Sequence, residues 1–78
     1  YIPYKYKDKV HRYVPDFIIN DKFIVEVKPE RLVSKSKRNQ LKLQVLKSFA
    51  EKNGLIAVWI KDIKDFSLDD LFNGKYNL

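Results

Sequence analysis

The sequence predicts a small α/β domain: a mixed sheet of about four strands, built as a three-stranded meander, a helix and a fourth strand, with one main packing helix and a short C-terminal helix. Three observations carry this expectation. Two β-rich runs, Tyr13 to Ile19 and Phe23 to Lys28, flank a polar turn at Asn20-Asp21-Lys22, the pattern of a hairpin. Leu41, Val45, Leu46, Phe49 and Ala50 recur at helical spacing, and the unbroken apolar run Leu55 to Ile60 follows at strand length.

In chain order, Tyr1 to Lys7 alternates from Tyr4 onward and is rich in β-formers, so it reads as the first strand. Pro3 cannot donate a ladder bond and belongs at an edge or a strand start. Asp8-Lys9 makes the turn into Val10-His11-Arg12. His11, the only histidine, reads as a surface residue of the hairpin. Pro15 forces Val14 into an extended conformation and leaves no amide to pair, so a break or bulge is expected beside Asp16. Pro29 to Val33 reads as a loop. Ser34 or Ser36 then caps a helix running to about Lys52, with Asn53-Gly54 as its stop. Leu55 to Ile60 is expected to enter the sheet as a central strand through a βαβ-like crossover, with Trp59 as a core or sheet-face residue. Lys61 to Asp65 is a polar connection, Ser67 caps a short helix ended by Asn73-Gly74, and Lys75 to Leu78 is a frayed tail.

The hairpin carries charges in apolar company. Glu26 and Lys28 share a face with Ile24, and Asp16 lies between Val14 and Ile18. A carboxylate in such a strand is costly to desolvate unless it is paired or bound to an ion. Pairing 19 with 23, 18 with 24 and 17 with 25 leaves a three-residue loop and puts Asp16 opposite Glu26, whereas a one-residue slip would send Asp16 to the other face. Two carboxylates brought together in this way suit a hard divalent cation such as Mg²⁺, which uses one or two carboxylates and keeps room for water and a phosphate oxygen. Beside them, the Lys28 ammonium is better suited to stabilising charge than to acting as a base.

Pro15-Asp16, a short hairpin, Ile24-Val25-Glu26-Val27-Lys28 and then a basic helix resemble the signature of the PD-(D/E)xK nuclease superfamily. That superfamily includes type II restriction enzymes, Holliday junction resolvases, the TnsA-type transposase endonuclease and phage or intron-linked nucleases. The resemblance implies a restriction-endonuclease-like core, Asp16 and Glu26 as metal ligands with the Val27 carbonyl as a further one, and Lys28 as the catalytic lysine. It also implies Mg²⁺ as cofactor, with Mn²⁺ as a substitute. Many members supply another acidic residue from a helix before the first strand, and this core lacks that N-terminal helix. Some relatives place a functional glutamine or lysine on the main helix, which leaves Gln40 and Gln44 open.

Composition narrows the function further. Sixteen Lys and Arg against ten Asp and Glu give a net charge of +6, which favours a polyanionic partner. Lys35, Arg38 and Lys42 lie at the N-terminal end of the helix on its packing side, where the helix dipole adds to their charge and makes a phosphate cradle. The chain has no cysteine, so disulfides and thiolate metal sites are excluded. No apolar run approaches the roughly 20 residues of a membrane span, and an intracellular protein without membrane contact is expected. Methionine is absent even at position 1, so residues 1–78 are read as a single nuclease-like domain forming part of a longer or split protein. A second copy or a partner chain could then supply the missing helix. The expected function is a metal-dependent endonuclease acting on DNA. The alternative is a catalytically inactive DNA-binding or assembly subunit with the same fold.

Overall fold

A computed structural model describes residues 1–78. Strand β1 (Ile2–Tyr6) pairs antiparallel with β2 (Lys9–Tyr13), and β3 (Phe17–Ile19) pairs antiparallel with β4 (Phe23–Val27). Helices α1 (Glu30–Ser34) and α2 (Lys37–Lys52) lead to β5 (Ile56–Ile60), which runs parallel to β4. A 3₁₀ turn at Ile63–Asp65 and helix α3 (Leu68–Phe72) follow.

The α/β class and the helix-then-strand order are as expected, but the strands are divided between two sheets. β1 and β2 form a separate two-stranded ribbon, and the other sheet has the order β3-β4-β5. Pro15 accounts for the split, because it offers no amide and holds Val14 away from helical geometry, so the chain between Tyr13 and Phe17 leaves the ladder. The centre of the three-stranded sheet is therefore β4. The run that reads as a central strand, β5, lies beside it.

The hairpin register matches the sequence argument: Ile19 pairs with Phe23, Ile18 with Ile24 and Phe17 with Val25. Asn20 and Asp21 adopt left-handed φ values of 53° and 51°, a conformation that these two residue types tolerate better than most. The ribbon turns one residue earlier than its sequence suggests, through Lys7 and Asp8 at φ 50° and 61°, with Tyr6 opposite Lys9.

Two apolar clusters flank the sheet. Ile24 and Ala57 join Leu46 and Ala50 of α2 with Ile2, Tyr4 and Tyr13 of the ribbon. Phe23, Val25, Val58 and Ile60 meet Leu71 of α3 on the opposite side. The β4 run Phe23 to Glu26 is thus buried at every position, which explains why it shows no polar alternation. The buried positions of α2 are Leu43, Leu46 and Ala50, with Leu41, Val45 and Phe49 partly covered.

Two expectations about segments need correction. Pro29 to Val33, read as a loop, forms the start and most of helix α1, with Pro29 at its N-cap and the Gln40 side-chain amide donating to the Val33 and Ser34 carbonyls at its end. The tail read as frayed is held by backbone bonds: Trp59 N–H donates to the Tyr76 carbonyl and Leu78 N–H to that of Ala57. Ser36 and Ser67 cap α2 and α3 by accepting from the amides of Asn39 and Asp70. No helix is long and apolar enough to cross a membrane.

Candidate metal and nuclease site

The site forms where β3 begins and β4 ends. Phe17 is the ladder partner of Val25, yet the Asp16 amide also donates to the Val25 carbonyl at 3.1 Å, so two residues converge on one and the strand bulges. Asp16 therefore does not continue the ladder to stand directly across from Glu26. The bulge re-aims its side chain, and Oδ2 accepts the Val27 amide at 2.7 Å in place of a strand carbonyl. The N–H and C=O of one residue share an edge of a strand, so the Val27 carbonyl faces the same edge, beyond the point where β3 begins.

Glu26 is 6 % exposed, the one charged residue in the core. Its Oε2 accepts the Tyr13 hydroxyl at 3.0 Å, and its Oε1 lies 3.6 Å from the Lys28 ammonium. Burial pushes the Glu26 carboxyl above the ordinary carboxylate range; the Tyr13 hydrogen bond pulls it back, the nearby Asp16 charge raises it again, and Lys28 lowers it. Tyr13 is raised in turn, chiefly by its own burial and then by the negative charge of Glu26. Asp16 and Lys28 are thus the two charged side chains that bear on Glu26, with opposite effects.

Lys28 is held from three directions. Its ammonium donates to Asn39 Oδ1 at 3.2 Å, its carbonyl accepts the Trp59 indole N–H at 2.8 Å, and its amide donates to Ile60. The orientation of Asn39 is fixed because its Nδ2 donates to the Leu32 carbonyl, leaving the oxygen for Lys28. Tyr13 and Asn39 are the two contributors that sequence reasoning missed. Asn39 had a readable signal, since it is the third residue after the capping Ser36, where a helix start faces the end of β4. Tyr13 had none, because a strand tyrosine beside a proline is ordinary.

The three helix cations separate. Lys42 places its ammonium 5.9 Å from the Tyr13 ring centre, at the margin of the site. Arg38 is occupied by the ribbon: Nε donates to the Tyr4 hydroxyl at 3.0 Å and Nη2 lies 3.2 Å from His11 Nδ1, which must accept. Lys35 is exposed at the junction of α1 and α2. His11 stacks on Tyr4 beneath Arg38, Gln40 caps α1, and Gln44 lines a shallow surface groove with Ile2 and Phe49.

The donor set is all oxygen, with no imidazole or thiol beside it, and no three His, Cys, Asp or Glu side chains gather anywhere in the chain. Two carboxylates and a carbonyl suit a hard cation that retains water, and do not make a closed all-protein cage. This arrangement of bulged aspartate, buried glutamate and tethered lysine on a ββββααβ frame has a counterpart in sequence. No characterised protein and no solved structure matched the chain, but residues 1–61 match the family described as TnsA-like endonuclease N terminal. That match spans the ribbon, the hairpin, both helices and β5, so the chain belongs to the TnsA-like endonuclease N-terminal family and is a nuclease-fold domain.

Proposed function

We propose that this domain is a metal-dependent endonuclease that hydrolyses DNA phosphodiester bonds. The observation that carries the reading is the buried Glu26 carboxylate, kept in the core between Tyr13 and Lys28 and electrostatically coupled to Asp16. A structural role alone would be served at less cost by an apolar residue, since replacing buried ion pairs by packed hydrophobic groups is often neutral or stabilising.

In this reading Asp16, Glu26 and the Val27 carbonyl hold Mg²⁺, with Mn²⁺ as a substitute. The bound ion supplies Lewis-acid polarisation of the scissile phosphate and acidifies a water molecule. Tyr13 holds Glu26 Oε2 and leaves the other oxygen facing Lys28. Lys28, oriented by Asn39 and by the Trp59 bond to its carbonyl, presents a fixed positive charge where negative charge grows on the phosphate. Lys42 and Lys35 add attraction for the backbone on the α2 side.

The test is cleavage of linear duplex, single-stranded and junction DNA with Mg²⁺, by wild type and by Glu26→Ala and Lys28→Ala proteins whose fold is checked by circular dichroism. Both variants should lose cleavage, and unchanged cleavage by Lys28→Ala protein rejects the assignment. The presence of only two acidic side chains favours a second reading, a non-cleaving DNA-binding or assembly subunit. That reading predicts salt-sensitive DNA binding and no cleavage with either metal.

A further inference from the structure

The β1–β2 ribbon stands as its own sheet, and its two faces differ in kind. Cross-strand pairing puts Tyr4 with His11 and Ile2 with Tyr13 on the inner face, where Arg38 of α2 clamps Tyr4 and His11. Lys5 pairs with Val10 and Pro3 with Arg12 on the outer face. All four of these residues are exposed, and Val10 is 71 % exposed although it lies within β2. The tip carries two more exposed cations, Lys7 in the turn and Lys9, which pairs with Tyr6 and so lies on the inner-face side at the end of the ladder, with Asp8 as the only acid.

None of these cations has a carboxylate partner. The salt bridges of the chain are Glu26 with Lys28, Glu30 with Lys61 and Asp70 with Lys75, all outside the ribbon. A strand that exposes valine between unneutralised lysines and an arginine is arranged for a partner that is anionic at its edges and apolar between them. The groove of duplex DNA has this character, with phosphates along its rims and base edges and thymine methyl groups on its floor. The B-DNA major groove, about 12 Å wide, admits a two-stranded β-ribbon.

We infer that the β1–β2 ribbon is a duplex-binding arm that lies in the major groove, with Lys5, Lys7, Lys9 and Arg12 on the phosphates and Val10 toward the base edges. This deepens the nuclease reading and rests on it for the identity of the polymer. The arm is anchored beside the candidate site, because Tyr13 at the end of β2 donates to Glu26. From Tyr13 to Lys9 the strand rises about 3.3 Å per residue, or about 13 Å. The arm therefore grips the duplex about four base pairs from the scissile phosphate, at about 3.4 Å per pair. The clamp on its inner face, made by Arg38 Nε and one Nη2 donor, makes it a rigid arm, and the ribbon cations add to the phosphate contacts expected of Arg38.

The experiment compares two triple variants on a mixed-sequence duplex and on a single strand of equal length, across a salt series. One is Lys5→Ala with Lys7→Asn and Lys9→Ala, asparagine being chosen for its tolerance of the left-handed backbone at position 7. The other, Lys47→Ala with Lys52→Ala and Lys64→Ala, removes the same charge from exposed positions outside the ribbon. The ribbon variant should lose about tenfold or more in duplex affinity at moderate salt, with the log–log salt slope shallower by about 3. Its single-strand affinity should fall much less, and the control should change neither slope by more than about one contact. Equal losses in the two triple variants, or equal losses on duplex and single strand, overturn the arm. If wild type cleaves DNA while the ribbon variant binds duplex as wild type does, the arm is wrong and the nuclease reading stands. If wild type binds no duplex even at low salt, both fail. Lys5→Glu against Lys47→Glu repeats the comparison with a single exposed change, in case the triple variant is unstable.

Discussion

Tyr13→Phe removes one hydroxyl and keeps the ring, so packing survives while the 3.0 Å hydrogen bond to Glu26 is lost. A hydrogen bond to an ionised group contributes about 1.5–3 kcal/mol, and one between neutral groups about 0.5–1.5. The ionised carboxylate therefore loses about 1–1.5 kcal/mol more than the protonated one, which lifts the Glu26 carboxyl further above its already raised value. A carboxyl group whose folded-state pKa exceeds the unfolded value favours the fold when protonated. That stability is present below the unfolded pKa and is lost as pH rises through the folded one. Tyr13→Phe extends this window upward, so its deficit relative to wild type should be greater at pH 8 than at pH 4 by about 1–1.5 kcal/mol, or about 4–12 °C in Tm for a domain of this size. Carboxyl carbon NMR, with the Glu26 signal assigned by its absence in Glu26→Gln, reads the pKa directly. A Glu26 that titrates at the same pH in both proteins, or lower in the variant, would refute the account of how the site is held.

Glu26→Gln should flatten the pH dependence of stability and melt at or above the wild-type temperature at neutral pH, because it removes a buried charge. Mg²⁺ at ten times its Kd should stabilise wild type by about 1.4 kcal/mol and leave this variant unmoved in a thermal melt. Asn39→Ala frees the Lys28 ammonium, and cleavage should fall in kcat more than in KM, with Asn39→Asp restoring part of the loss through its remaining oxygen. Arg38→Ala strands the buried Tyr4 hydroxyl at a cost of about 1–3 kcal/mol, and hydrogen exchange should quicken in β1 and β2 before it does in β4. Ser36→Ala removes the α2 cap and should lower stability by about 1 kcal/mol in denaturant melts.

The hairpin register was legible because period-2 alternation and the spacing of Asn20 to Lys22 admit few pairings, and the apolar surroundings of Glu26 flagged it as more than a surface charge. Helix α2 was legible from its cap, its stop and its apolar spacing. The division into two sheets was not, since a proline announces a break without saying whether the chain resumes in the same ladder. Helix α1 was hidden because five residues carry too little periodicity, and its end is satisfied by Gln40, which lies six residues beyond Ser34. The pairing of Arg38 with Tyr4 and His11 spans residues far apart in sequence, so no local pattern announces that this cation also braces the ribbon.

The last three residues have a reach that their position does not advertise. Tyr76 and Leu78 close the outer margin of β5 through the Trp59 amide and the Ala57 carbonyl, while the Trp59 indole steadies the carbonyl of Lys28. A fusion partner or purification tag that drags on Leu78 would be felt at the lysine through one intervening tryptophan. Indole fluorescence offers a spectroscopic gauge of that linkage with no substrate in the cuvette.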